Sequence, residues 1–155
     1  MKDINRAFAA AFAGAMLATV LVVPAASQSI RPMLESEIRA AGGKQLQGAA
    51  IKQMYLGNTV YTIFLKKSGN IPAGSVVPIY HRDDRTRVAK TSATQKLEAN
   101  WWIDGNSYCN EQRVVNVGHQ CYTVWDLSGT LYSCLQPAGD CMFSQRVVPG
   151  NPESL

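Results

Sequence analysis

The chain has 155 residues, with 15 basic and 11 acidic side chains for a net charge of +4, 46% hydrophobic and 17% charged residues, and four cysteines. That length holds one domain and at most a tail. The apolar fraction excludes a disordered chain, and the mild charge excludes the dense basic stripe of a nucleic-acid binder.

Lys2 and Arg6 stand beside Asp3, residues 7–30 carry no charge, and within 7–23 only Gly14 and Thr19 are not apolar. Pro24-Ala25-Ala26-Ser27 follows. A basic start, an apolar stretch and small residues at its exit predict a secretory signal peptide over 1–27, cut after Ala25, Ala26 or Ser27. The alternatives are a retained anchor and a buried helix. Seventeen residues at a 1.5 Å rise fall short of a ~30 Å hydrocarbon core. Cleavage leaves about 128 residues at about +3, in the periplasm or outside a Gram-negative cell. All four cysteines stay in that part, and an even count in an exported chain reads as disulfides.

Residues 28–58 form the helical segment. Pro32 suits a first helical turn, good helix formers follow, and Gly42-Gly43 stops them. A second helix over 46–56 puts Leu46, Ile51, Met54 and Tyr55 on one face, capped by Gly57-Asn58. From Thr59 the pattern becomes strands and turns. Strands are predicted at 59–65, 76–81, 86–91, 96–103, 107–115, 120–125, 130–135 and 141–148, separated by Gly-, Asp- and Asn-rich turns. The tail 149–155 lies outside them. The expected fold is α+β and mainly β. It is an antiparallel meander of seven or eight short strands, curled into a barrel or a strongly twisted sheet. The N-terminal helices cover an end or one face.

Facing residues of a hairpin have a constant index sum. Cys109 with Cys121 centres on Val115, and Cys134 with Cys141 centres between Pro137 and Ala138, both at predicted turns. This pairing is favoured. Cys121 with Cys134 also centres on a turn, at Leu127-Ser128, and stays open. There is no C-x-x-C, and His81 and His119 are in no ligand array with the cysteines, so neither a metal nor another cofactor is expected. His119 shares a strand face with Cys121, but the even count favours a structural role over a nucleophile.

Asp83-Asp84 among Arg82, Arg85 and Arg87 reads as a solvated turn, and with Lys90 the arginines form a modest basic edge. Such an edge suits anionic envelope polymers, or it blocks strand-to-strand aggregation. G-x-S-x-G, P-loop and H-E-x-x-H motifs are absent. Glu98, Asp104 and His119 are the residues a small hydrolase would use. Adjacent strand residues face opposite sides, so one of Trp101 and Trp102 points in and the other out. The outward one, with Tyr108 or Trp125, is a candidate binding anchor.

Leu46-Gln47-Gly48-Ala49-Ala50-Ile51, Gly57-Asn58-Thr59-Val60-Tyr61, Trp102 with the Gly105 turn and Cys109, and Cys121-Tyr122 resemble a family of small exported proteins of unknown function from alphaproteobacteria. The resemblance covers roughly residues 45–135. It implies a compartment and a lineage, and supplies no catalytic residues. The layout is also similar to small exported β-barrel inhibitors of proteases or lysozyme. The leading expectation is a non-enzymatic module that binds a periplasmic protein or an envelope polymer, with Trp101, Trp102 and Tyr108 as binding candidates. A periplasmic hydrolase is the alternative.

Overall fold

A computed structural model describes residues 31–111 and 118–155. The predicted signal segment, and residues 112–117 of the predicted 107–115 strand and its following turn, lie outside the described residues. The elements run β1 (Met33–Leu34), α1 (Glu35–Ala40), β2 (Lys44–Gln45), α2 (Gly48–Tyr55), β3 (Asn58–Phe64), β4 (Val76–His81), β5 (Thr86–Lys90), β6 (Lys96–Asp104), β7 (Ser107–Glu111), β8 (His119–Leu127), β9 (Thr130–Leu135) and β10 (Asp140–Pro149).

Strands β3 to β10 pair in sequence order, every pair antiparallel, and β10 returns to pair with β3. The meander thus closes into an eight-stranded barrel, which removes the free edges an open sheet would expose. Turn chemistry matches the tight hairpins. Leu127 faces Thr130, and the residues between them, Ser128 and Gly129, both have positive φ (53° and 84°). That is the turn geometry whose twist suits paired strands.

Side chains alternate across the wall. Val60, Phe64, Ile79, Trp101, Tyr108, Tyr122, Val124, Leu131 and Phe143 are buried, and most of them join α2 in one internal core. β10 changes phase once. Cys141 faces Cys134 and Phe143 faces Ser133, so Met142 is an extra residue at a bulge. The bulge lets Cys141 face outward to its disulfide partner while Phe143, two residues on, points into the barrel.

α2 closes the end of the barrel at which β3 begins. Its Ile51 and Tyr55 are fully buried in the internal core. Its first residue has no room for a side chain: a Cβ on Gly48 would collide with the Gly105 carbonyl and with Ile103. The Gly48 N–H donates to Asn106 Oδ1 at 3.1 Å, so the helix start is seated directly on the β6–β7 turn.

α1 sits instead on the outside of the wall. Ile38 packs there with Leu65, Trp125, Tyr132 and the Cys134–Cys141 disulfide. The Arg39 guanidinium lies 5.2 Å from the Trp125 ring centroid. Thr123 Oγ1 donates to Glu35 Oε2 at 2.8 Å. This helix starts three residues later than Pro32 suggests, because Met33 and Leu34 pair with Cys141 and Asp140 of β10. Lys44 and Gln45 likewise add to β8 beside Asp126 and Trp125. Both short strands extend a barrel strand beyond the reach of its neighbour.

The tail after β10 folds back across the outer wall. Glu153 accepts hydrogen bonds from Lys90 Nζ and from the Tyr61 hydroxyl, each at 2.8 Å. Disulfides join Cys109 to Cys121 and Cys134 to Cys141, with Cα atoms 4.0 and 3.7 Å apart. Each spans its own hairpin in direct register. Two such bonds fit a compartment outside the reducing cytoplasm. None of the described helices is long and apolar enough to cross a membrane.

Candidate functional site

The internal core does not fill the barrel. Opposite the α2 plug lies a cavity of about 530 Å³, bounded at its outer end by the β3–β4 connection through Ile71, Pro72 and Val76. Phe64, Val77, Ile79 and Phe143 wall its apolar part. Polar side chains are interleaved with them. Thr62 is in register with Val77 and with Gln145, and Ser133 is in register with Phe143. His81, Arg87 and Asn110 lie toward α2, and Ser68, Asn70, Ser75 and Thr91 lie toward the outer end.

Two polar groups line it. In the first, Gln145 Oε1 accepts from the Tyr55 and Ser133 hydroxyls, each at 2.7 Å, and Gln145 Nε2 donates to Thr62 Oγ1 at 3.4 Å. This group comes from α2, β3, β9 and β10, and it ties the plug to the wall. Burial pushes the Tyr55 hydroxyl far above the ordinary tyrosine range, with the nearby Tyr108 adding to the shift. It therefore acts as a neutral donor.

The second group is less complete. Arg87 is only 7% exposed. Its Nη2 donates to Asn110 Oδ1 at 2.9 Å and to the Glu111 carbonyl at 2.7 Å. Ala99, the inward residue of β6 in register with Arg87, leaves space for the side chain to reach across β6 to β7. Among the described residues no carboxylate lies within ion-pairing distance of this guanidinium, and Nε has no hydrogen-bond partner. An arginine buried without a counter-ion is unusual, because removing the charge from water is costly unless something compensates it.

His81 faces Arg87 across the β4–β5 pair and is 1% exposed. Its Nε2 lies 3.1 Å from the Tyr108 hydroxyl, while Nδ1 is also without a partner. Tyr55, Trp101 and Tyr108 surround the ring, with centroids 5.0, 4.9 and 5.7 Å away. Burial holds the imidazole well below the usual histidine range, and the Arg87 charge lowers it further. The ring is neutral at neutral pH. Burial also raises Tyr108, against an opposing pull from Arg87.

The sequence candidates fall in different places. Trp101 is 1% exposed; it points into the barrel and donates its indole N–H to the Asp83 carbonyl at 2.9 Å. Tyr108 is buried beside it, ring centroids 5.9 Å apart. Trp102 points outward and is half-buried, 5.8 Å from the exposed His119 ring. The three therefore share no surface, although Tyr108 belongs to the polar cluster at the base of the cavity.

Glu98, Asp104 and His119 are exposed, and none of them lines the cavity. Glu98 accepts an ion pair from Arg82 at 3.2 Å, and Asp104 is six residues further along β6, roughly 20 Å away at strand rise. Among the described residues, no cluster of His, Cys, Asp and Glu is arranged to hold a metal.

Arg87 is a correction to the sequence reading. Arg82 and Arg85 are exposed as expected of a basic edge, but Arg87 points inside. The signal was present in the alternation Val77/Ile79/His81 and Arg87/Ala89, which puts both polar residues on the faces that carry apolar side chains.

Fold and site together define an antiparallel barrel with an internal chamber that combines apolar walls with a buried arginine. The chain matches no family model, and no curated protein or solved structure is significantly similar to it.

Proposed function

We propose that this is an exported, disulfide-stapled, non-enzymatic binding module, acting in the periplasm or outside the cell, and that its ligand is an envelope component small enough to enter the barrel. The observation that carries this reading is the cavity. Its volume of about 530 Å³ falls in the range of roughly 300–1,000 Å³ typical of small-molecule sites, and apolar walls with a few convergent polar groups are the usual lining of such sites. A barrel built only for stability would fill this space with side chains.

The non-enzymatic part of the reading is supported by what surrounds the chamber. The carboxylates suggested for catalysis, Glu98 and Asp104, are exposed and line no part of it. Native mass spectrometry of the full exported chain, purified from periplasm without organic extraction, tests the reading. A small molecule that stays bound in the folded protein and leaves on denaturation is expected. A bare protein mass, with no uptake of added envelope lipids, would overturn it.

A further inference from the structure

We infer that the ligand is an amphiphile with a carboxylate head, seated with its carboxylate on Arg87 and its apolar part toward the mouth at Ile71, Pro72 and Val76. This inference rests on the binding reading above and adds the head-group chemistry to it.

Three observations converge on this assignment. The first is the uncompensated charge. Arg87 is buried and lines the chamber, and its hydrogen-bond partners, Asn110 Oδ1 and the Glu111 carbonyl, are neutral. A guanidinium is matched in shape and charge by an oxyanion. The second is His81, the direct cross-strand neighbour of Arg87. Its ring is neutral and adds no second positive charge beside the guanidinium. The third is polarity along the chamber. Phe64, Val77, Ile79 and Phe143 line the walls above Arg87, interrupted by Thr62, Ser133 and Gln145, and Val76 is exposed at the rim.

The charge count selects a monoanion, of which a carboxylate is the planar match to the guanidinium fork. One fixed positive charge beside a neutral imidazole balances a monoanion, whereas a phosphate monoester would bring excess negative charge into the same desolvated space. The apolar walls then require an attached hydrocarbon, so a free inorganic anion gains too little from the site.

The test compares three amphiphiles of one chain length against the full exported protein stripped of bound lipid: hexadecanoate, hexadecanol and a hexadecyl quaternary ammonium. Affinities are read by displacement of a fluorescent fatty acid. Hexadecanoate is expected to bind at least about tenfold more tightly than the alcohol, and the ammonium is expected not to compete. Arg87→Gln should erase the preference for acid over alcohol. If the glutamine variant does not fold, Arg87→Met, an uncharged side chain that fills similar buried volume, takes its place and should show the same loss of preference.

Equal binding of acid and alcohol by the wild type would overturn the head-group assignment and leave the binding reading standing. A folded Arg87→Gln protein that still prefers the acid would overturn the role of Arg87. Failure of all three amphiphiles, together with no retained ligand in the native protein, would overturn both readings.

Discussion

A buried neutral histidine makes stability depend on pH. The unfolded His81 imidazole takes up a proton near pH 6.5, and the folded one does so only well below that, because burial and Arg87 oppose the charge. Between those two values the unfolded state binds the extra proton, so stability falls as pH is lowered from about 6.5. The groups facing the ring from neighbouring elements are Arg87, Tyr55, Trp101 and Tyr108. None of the three aromatic rings gains or loses charge in this window. Urea unfolding between pH 7.5 and 5 should show wild-type stability falling by at most about 1.4 kcal/mol per pH unit. A His81→Gln variant should be flatter over the same range, and equal slopes would refute the account. Asp83, held low by the Arg85 and Thr86 N–H groups, and Glu153, held low by Lys90 and Tyr61, lose their folded-state advantage only in more acid solution. They do not mimic the effect.

At the scale of elements, the seating of α2 depends on the absence of one side chain. Gly48→Ala forces a methyl group against the Gly105 carbonyl backbone and Ile103. The helix start must then lift from the β6–β7 turn, losing the Gly48–Asn106 hydrogen bond. A loss of about 2–3 kcal/mol is expected in chemical denaturation, and an unchanged midpoint would contradict the plug geometry. The two disulfides act differently, mainly on the unfolded chain. Each closes a short loop, with sequence separations of 12 and 7. Replacing either pair with serines should therefore cost at most about 3 kcal/mol. The 134–141 pair should show an additional local effect, because its sulfurs pack under α1 with Ile38 and Trp125. Enhanced hydrogen exchange in α1 on removing that pair, but not on removing 109–121, is the expected signature.

Much of this architecture is written in local patterns. Period-two alternation and turn residues mark the strands from β3 to β10 in order, and the index sums of the cysteines point to the bonds that form. The same alternation sends one of Trp101 and Trp102 inside and the other outside, and the register of β6 with β7 makes Trp101 the inner one. Elements that depend on tertiary partners are not written there. Met33–Leu34 and Lys44–Gln45 are strands only because β10 and β8 offer unpaired edges beside them. Arg87 stands in a charged run, and a charged run normally means solvent. Its inward placement follows from the register of β5 with β4 and β6, and its reach follows from the small Ala99. The cavity is still less legible, since it is the difference between the volume a closed barrel encloses and the volume its inward side chains occupy.

For the whole molecule, the central claim is that the space inside the barrel is the binding site. Ala89 lines that space, in register with Ile79 and Leu97, and a larger apolar side chain there fills the chamber without removing any polar partner. The most direct measurement is a titration of the wild type and Ala89→Phe with an environment-sensitive naphthalene sulfonate, a monoanion with an apolar body, with thermal unfolding of both proteins as the control. The wild type should bind one probe with enhanced fluorescence. Ala89→Phe should bind at least about tenfold more weakly while unfolding within a few degrees of the wild type. Undiminished binding by a folded Ala89→Phe protein would place the ligand outside the barrel and contradict the account.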